Sequence, residues 1–201
     1  WENIDVLFTA LPNGKAQKIS KGIPEHTKLI DLSADFRINN FKSYKQWYGI
    51  DHKYKRFINK SIYAITEFSK NNLDKYKIIS CPGCYPTSVQ IPLIPLIKKK
   101  LINTKNIIID SKSGYSGAGR KIKQKFKFKN LFNSVSAYGV GFHRHMIEID
   151  QELSKIANNK IEVSFTPHLI PMFRGILSTI YLETRGKNDA KKIYELLKRY
   201  H

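Results

Sequence analysis

The stretch ISCPGCYPTSVQIPLIPL, from Ile79 to Leu96, joins an apolar strand to a helix and contains both cysteines of the chain. The strand should break at Pro82-Gly83, because this pair favours a turn. Proline is tolerated in the first turn of a helix, so the helix is expected to begin near Pro86. Pro92 and Pro95 lack a backbone N–H and should kink that helix or delay its start.

Around this unit, strands and helices alternate, and strands become denser in the second half of the chain. This order favours an α/β fold followed by an α+β part. Apolar runs predict strands at 6–8, 29–32, 77–80, 107–110, 161–166 and 175–182. Helical spacing is predicted over 146–156 and again over 188–200.

The composition is that of an ordinary globular chain with a large positive charge. Its 201 residues are 41% hydrophobic, enough for one domain or two small ones. Two cysteines are too few for a disulfide-stapled secreted scaffold, so we expect a reducing, cytoplasmic setting. No apolar run reaches the roughly 20 residues that a membrane-spanning helix needs. The formal net charge of +19 indicates either scattered surface lysines or an anionic partner.

One basic cluster stands out, RKIKQKFKFKN from Arg120 to Asn130. Its alternation of lysine and phenylalanine first indicates a strand with one solvated face. The same pattern could grip single-stranded nucleic acid. No RNP-like, KH or helix-turn-helix pattern accompanies it, so nucleic-acid binding is the minor interpretation. An anionic small substrate would also suit the positive field.

Three chemical interpretations fit the C-x-x-C spacing of Cys81 and Cys84. A redox dithiol would follow a strand and open a helix, as this pair does. A zinc site is disfavoured, because there is no second C-x-x-C and His143-Arg144-His145 does not have zinc-finger spacing. A nucleophile at Cys84 would gain from the helix N-terminus, whose positive end favours a thiolate. Residue chemistry alone leaves the dithiol, the nucleophile and a pair of small buried side chains open.

Three further stretches carry polar groups that could take part in catalysis or binding. DSKSGYSGAGR, from Asp110 to Arg120, is glycine-rich after a strand and could present backbone N–H groups to an anion, but its order is not a dinucleotide fingerprint. His143, His145 and Glu148 lie within six residues and could perform acid–base chemistry or form a surface cluster. His168 and Arg174 lie in an apolar stretch, where a buried charge would need a partner or a ligand.

Taken together, these stretches resemble the N-acetyl-gamma-glutamyl-phosphate reductases. The resemblance covers nearly the whole chain, in the family's order. It rests on the motifs LFTALPNG, DLSADFR, PGCYPT, SGYSGAGR, HRHMIEI and TPHLIPMFRGILSTIY.

The resemblance implies reduction of an acyl phosphate to an aldehyde by NADPH, with no metal. Cys84 would form a thioester with the substrate and expel phosphate. His145, or else His143, would act as acid and base, with Glu148 as its partner. Implied cofactor contacts are Pro12, Asn13, Ser116 and Gly117. Implied substrate contacts are Ser113, Gly114, Arg120, Arg144 and Arg174.

The resemblance also implies a domain organisation and an assembly. Residues 1–82 would be a partial Rossmann-type NAD(P)-binding domain without its first strands and glycine loop. Residues 83–201 would be a glyceraldehyde-phosphate-dehydrogenase-like catalytic domain with a mixed or antiparallel sheet, lacking its C-terminal end. We therefore expect this chain to be inactive by itself, and the full enzyme to be a dimer or tetramer without membrane contact.

Cys81 departs from the family, which commonly has asparagine at this place. It is either inert or forms a disulfide with Cys84 under oxidation. The alternatives to the reductase are another thiol-dependent aldehyde dehydrogenase of the aspartate-semialdehyde type, a C-x-x-C thiol oxidoreductase and a basic nucleic-acid-binding module.

Overall fold

A computed structural model describes residues 2–119, 133–186 and 189–200. The chain divides into two compact units, Trp1–Gly83 and Cys84–His201. The basic cluster from Arg120 to Asn130 lies outside the described residues. No helix among the described residues is long and apolar enough to cross a bilayer.

The first unit is a four-stranded parallel sheet in the order β1-β2-β4-β3. Its strands are β1 (Val6–Thr9), β2 (Lys28–Asp31), β3 (Ser61–Tyr63) and β4 (Ile78–Ser80). Its helices are α1 (Lys15–Ser20), α2 (Phe41–Tyr48) and α3 (Thr66–Ser69), with 3₁₀ turns at Lys55–Phe57 and Lys70–Lys75. Parallel strands need such crossovers.

The core of the first unit lies where β2 and β4 meet the first helix. Leu29, Ile78 and Ala16 are fully or almost fully buried, and Phe36 packs with them. Burying such side chains contributes about 1.5–3 kcal/mol for each large one. This cluster packs the parallel sheet against α1.

The second unit is a mixed four-stranded sheet in the order β6-β7-β5-β8. The central pair β5–β7 is parallel, and both outer pairs are antiparallel. The strands are β5 (Ile108–Gly114), β6 (Ser136–Ala137), β7 (Ser164–Ile170) and β8 (Ile176–Tyr181). The helices are α4 (Cys84–Lys98), α5 (His145–Ala157) and α6 (Asp189–Tyr200), with a 3₁₀ turn at Tyr115–Ala118. The predicted α/β class with a mixed sheet in the second half is confirmed.

Among the described residues, the buried cluster of the second unit lies on one face of this mixed sheet. Val89 and Leu93 of α4 and Ile149 of α5 form one buried cluster with Ile109 and Phe165 of the sheet. Helices α4 and α5 therefore hold their first residues close to the same end of the second unit. This arrangement brings the Cys84 motif at the start of α4 close to the His145 motif at the start of α5.

The helix after the C-x-x-C begins earlier than predicted, and its end at Lys98 agrees with the lysines at 98–100 that suit a helix C-terminus. It starts at Cys84 instead of near Pro86, and it continues through Pro92 and Pro95 to Lys98. Each interior proline removes an intrahelical hydrogen bond. Packing of α4 in the core, through residues such as Val89, compensates for these lost hydrogen bonds. Tertiary packing supplies most of the stability of helices in proteins.

Two strand predictions were wrong in extent for the same reason. Strand β5 continues to Gly114 instead of ending at Asp110, because both β7 and β8 pair with it along this length. Strand β7 runs from Ser164 to Ile170 instead of over 161–166. Pro167, expected in a connection, lies inside this strand, and its carbonyl accepts the N–H of Tyr138 at 3.0 Å. Pairing across the sheet overrides the local proline signal.

Candidate active site

Cys84 is the first residue of α4, and its side chain is exposed. The first N–H groups of a helix have no intrahelical acceptor, and the helix dipole places partial positive charge there. Both effects favour a thiolate over a thiol. The fold therefore gives Cys84 the accessibility and the local field of a nucleophile.

Cys81 has a different environment, within the first unit. It is partly exposed and is a free thiol, as is Cys84. Burial raises the pKa of the Cys81 thiol, although the guanidinium of Arg37 acts in the opposite direction. Its backbone is fixed, because its N–H donates to Asp31 and its carbonyl accepts Nε of Arg37 at 2.7 Å. This environment disfavours a thiolate at Cys81.

Four aromatic rings enclose His143 in the second unit. Ring centroids lie 5.5 Å away for Tyr85, Tyr138 and Phe165 and 4.9 Å away for His145. All four contacts are edge-to-face, which is a favoured geometry for aromatic rings. The structure therefore brings both predicted histidines together with the residue that follows Cys84.

The protonation state of His143 follows from one hydrogen bond. Its Nδ1 accepts the backbone N–H of His145 at 3.2 Å. A backbone amide can only donate, so Nδ1 carries a lone pair and the proton of neutral His143 is on Nε2. Burial, with a smaller effect from Arg144, lowers the pKa of His143 to about 4. His143 is therefore neutral near pH 7 and caps the start of α5.

His145 and Glu148 share the buried face of α5. His145 is the first helical residue and Glu148 lies three positions later, so their side chains are on one side of the helix. They are 6% and 0% exposed. A carboxylate in the first turn of a helix is favoured by the dipole. The predicted pairing of an imidazole with a carboxylate is geometrically available here.

Sequence reasoning missed two tyrosines in this cluster, Tyr85 and Tyr138. Their hydroxyl oxygens are 2.8 Å apart. Burial raises the pKa of both, and a charge on Cys84 raises both further. The only sequence signal was the place of Tyr85 next to Cys84 in PGCYPT.

The glycine-rich segment is held by backbone bonds instead of forming an open anion cradle. The N–H groups of Gly114, Tyr115 and Ser116 donate to carbonyls within 172–175 at 2.9–3.0 Å. A Cβ on Gly114 would lie 2.8 Å from backbone atoms of that segment, and one on Gly117 would lie 2.7 Å from Oγ of Ser113. These two glycines thus permit close approach of the chain. The N–H groups of Gly114, Tyr115 and Ser116 are therefore already used within the fold.

The candidate arginines stand at the surface where the structure describes them. Arg174 is exposed, not buried as its apolar neighbours suggested, and its guanidinium lies 5.3 Å from the ring of Phe173. Arg144 is also exposed. Arg120 lies outside the described residues. His168 has a partner, because its Nδ1 is 3.0 Å from Asp110.

In the first unit, Pro12 and Asn13 belong to a tight turn that opens α1. The carbonyl of Pro12 accepts the N–H of Lys15, and Gly14 adopts a left-handed φ of 84°. The carboxylate of Asp35 accepts the N–H of Gly14 at 2.6 Å and a second N–H of α1 at 3.1 Å. Asn13 and Lys15 help to line a pocket of about 310 Å³ with two more lysines.

Comparison with known proteins decides the family. Residues 1–76 match the description "Semialdehyde dehydrogenase, NAD binding domain", and residues 84–201 match "Semialdehyde dehydrogenase, dimerisation domain". The chain belongs to the semialdehyde dehydrogenase family. Among the residues that the structure describes, this member has no group of three or more side chains able to hold a metal ion.

Curated relatives confirm the resemblance noted in the sequence. A protein of Oryza sativa subsp. japonica named "Probable N-acetyl-gamma-glutamyl-phosphate reductase, chloroplastic" is 44% identical over 198 residues, covering 98% of this chain and 48% of the relative. An N-acetyl-gamma-glutamyl-phosphate reductase of Afipia carboxidovorans is 44% identical, covering 98% and 57%. The chain thus spans about half the length of these relatives.

Solved structures support the same fold. Aspartate semialdehyde dehydrogenase from Francisella tularensis superposes with a TM-score of 0.68 at 13% identity, covering 98% of this chain and 63% of that chain. Aspartate semialdehyde dehydrogenase II from Vibrio cholerae gives a TM-score of 0.64 at 17% identity, covering 92% and 56%. At such low identity the likeness concerns the fold alone.

Proposed function

We propose that this chain is part of an oxidoreductase that reduces N-acetyl-gamma-glutamyl phosphate to N-acetylglutamate 5-semialdehyde with release of phosphate. The observation that carries the proposal is an exposed cysteine at a helix N-terminus in the same unit as the buried His145–Glu148 pair. The names of relatives at 42–44% identity support the substrate over that of the aspartate enzymes, which share the fold at 13–17% identity.

The cysteine chemistry follows from the position of Cys84. Its thiolate attacks the acyl carbon, the C–O bond to phosphate breaks, and a thioester remains on the sulfur. Bound NADPH would supply the hydride that reduces this thioester. The resulting thiohemiacetal on Cys84 loses its hydroxyl proton, and the C–S bond breaks to give the aldehyde and the thiolate.

The first unit fits a dinucleotide. The Pro12–Gly14 turn follows the carboxyl end of β1, and dinucleotides bind at that edge of a parallel sheet. Lys15, Lys18 and Lys53 line the pocket beside this turn and suit phosphate groups. In the second unit, Ser116 and Gly117 are the proposed contacts on the nicotinamide side.

We assign the acid–base role to His145. Nδ1 of His143 is occupied by a backbone N–H and its Nε2 carries the proton, so neutral His143 has no site to accept one. His145 begins the helix, and Glu148 on the same face can orient its imidazole. His145 therefore takes the thiol proton, returns it to the oxygen when the hydride converts the thioester to the thiohemiacetal, and takes it again when that hydroxyl loses its proton.

Exposed arginine side chains are the candidates for binding the anionic groups of the substrate. We propose Arg144 and Arg174 for the carboxylate and phosphate, because both guanidinium groups are accessible. Arg120 is proposed on its sequence position alone. Ser113 and Gly114 would line the substrate side from the end of β5.

The test is phosphate-dependent reduction of NADP⁺ with N-acetylglutamate semialdehyde, the reverse direction, in the protein that carries this chain. Cys84→Ser should abolish activity, whereas Cys81→Ser should leave it within about twofold. His145→Asn should lower kcat about 10²–10⁴-fold, the usual contribution of an acid–base residue. Hydride transfer that proceeds without phosphate would refute the substrate assignment. Equal losses for the two cysteine variants would favour a dithiol enzyme.

We also propose that the face of the mixed sheet opposite the buried cluster is a homo-oligomer contact. Ile108, Leu177 and Tyr181 on this face are 48%, 63% and 56% exposed. Clustered exposed apolar side chains on neighbouring strands are typical of a protein interface. Leu177→Lys should reduce the mass measured by size exclusion with light scattering. Tyr194→Lys on the exposed surface of α6 is the matched control, and equal masses for both variants would contradict the assignment.

A further inference from the structure

We propose that Tyr85 and Tyr138 are positioning residues whose paired hydroxyls set the place of the two histidines relative to Cys84. The bond ties the first turn of α4, which carries the nucleophile, to the segment that leads into α5. The catalytic consequence rests on the proposed function. The structural consequence does not, and it can be measured separately.

The hydroxyl pair is anchored at both ends. Tyr85 is 2% exposed and is the second residue of α4. Tyr138 follows β6, and its backbone N–H donates to the carbonyl of Pro167 at 3.0 Å. The two hydroxyl oxygens are 2.8 Å apart, although the residues are 53 positions apart in the chain. The bond therefore ties α4 to the segment that connects β6 with α5.

The rings of this pair restrain both imidazoles. The Tyr85 ring stands at 90° to His143 with centroids 5.5 Å apart, and at 66° to His145 with centroids 5.9 Å apart. The Tyr138 ring meets His143 at 73° and 5.5 Å. A ring packed edge-on against an imidazole blocks its rotation, because the turning edge would enter the neighbouring ring. Fixing the Tyr85 hydroxyl thus fixes two catalytic-site rings.

The pair is suited to a permanent bond next to a charged sulfur. Burial and the nearby Cys84 both raise the pKa of Tyr85 and of Tyr138, so neither hydroxyl ionises in the neutral range. Both hydroxyls therefore keep their protons, and the hydrogen bond between Tyr85 and Tyr138 can persist throughout the reaction. The bond therefore holds the geometry without taking part in proton transfer.

Tyr85→Phe and Tyr138→Phe remove the bond and keep both rings. In the active protein, each change should lower kcat about tenfold, which corresponds to about 1.4 kcal/mol, with KM within twofold. A small displacement of a catalytic group costs rate without loss of binding. Tyr85→Phe also removes the longer contact of its hydroxyl with the carbonyl of His168 at 3.5 Å. Because both single changes break the hydroxyl pair, the double variant should lose no more than Tyr85→Phe alone. Tyr194→Phe on the exposed face of α6 is the control.

The structural readout is the ¹⁵N spectrum of the histidine rings in the chain as it stands. We expect a single Nε2–H tautomer for His143 in the unaltered chain and an averaged pattern in both phenylalanine variants. Unchanged ring spectra in both variants, or an unchanged kcat in an active enzyme, would overturn the proposal. If the unaltered protein has no reductase activity, the proposed function has failed, and the ring spectra alone decide the positioning role.

Discussion

Replacing His143 by asparagine should remove part of the acid sensitivity of the fold. An ordinary histidine has a pKa of 6.5, whereas burial and Arg144 lower that of His143 to about 4. The folded state thus disfavours the imidazolium, which would also lose its Nδ1 acceptor role and face the positive end of α5. Asparagine can still accept the helix N–H, so the cap survives.

The magnitude follows from linkage. The unfolded chain binds the proton first as the pH falls below 6.5, so the free energy of unfolding decreases until the pH reaches about 4. The full difference is about 3 kcal/mol at 1.36 kcal/mol per pH unit. His143 is only half-buried, and solvent screening reduces this to about 1.5 kcal/mol, of which about 1 kcal/mol should be visible at pH 5.

Urea unfolding of the unaltered chain and of His143→Asn at pH 7, 6 and 5 measures this difference. The two free energies of unfolding should be similar at pH 7 and should diverge on acidification, with the variant losing less. His26→Asn, at an exposed position, is the control and should follow the unaltered chain. Parallel curves for His143→Asn and the unaltered chain would show that His143 is not held neutral, and the assignment of the base to His145 would lose its main support.

Two further substitutions test the packing around the site. Gly114→Ala should destabilise the fold by about 2–3 kcal/mol, because the new Cβ would lie 2.8 Å from backbone atoms, whereas Gly22→Ala, with its nearest atom at 3.8 Å, should cost less than about 1 kcal/mol. Equal costs in urea unfolding would contradict the close approach. Burial raises the pKa of Asp150 to about 6, so Asp150→Asn should stabilise the fold by about 1 kcal/mol at pH 8, and the gain should shrink as the pH falls from 6 towards 4. A variant that is less stable at pH 8 would show that the Asp150 charge is favourable.

The sequence predicted what depends on short-range pattern. A strand, a Pro-Gly break and a helix around Cys84 are coded within about twenty residues, and the same is true of the helix that begins at His145. Local signals failed where distant strands decide the outcome. Pro167 lies inside β7 because β5 and β6 pair with it on both sides, and neither partner is adjacent in sequence.

The candidate site divides in the same way. Cysteine and histidine are chemically conspicuous, so both could be named from the sequence. Tyr85 and Tyr138 are ordinary core side chains by composition, and only a contact between residues 53 positions apart makes them a pair. Choosing between His143 and His145 needed the direction of one backbone N–H, which no residue pattern encodes.

The C-x-x-C spacing illustrates why a motif alone does not fix a chemistry. Cys81 and Cys84 are only three positions apart, but the reactivity of each sulfur depends on a different secondary-structure element. Cys84 is solvent-exposed and is the first residue of a long helix. The positive end of the helix dipole lies there and stabilises a thiolate. Cys81 directly follows the parallel strand β4, where burial raises the pKa of its thiol and Nε of Arg37 donates to its carbonyl. A dithiol enzyme needs both sulfurs to be reactive in turn. We therefore propose Cys84 alone as the nucleophile, because Cys81 precedes the helix whose dipole favours a thiolate.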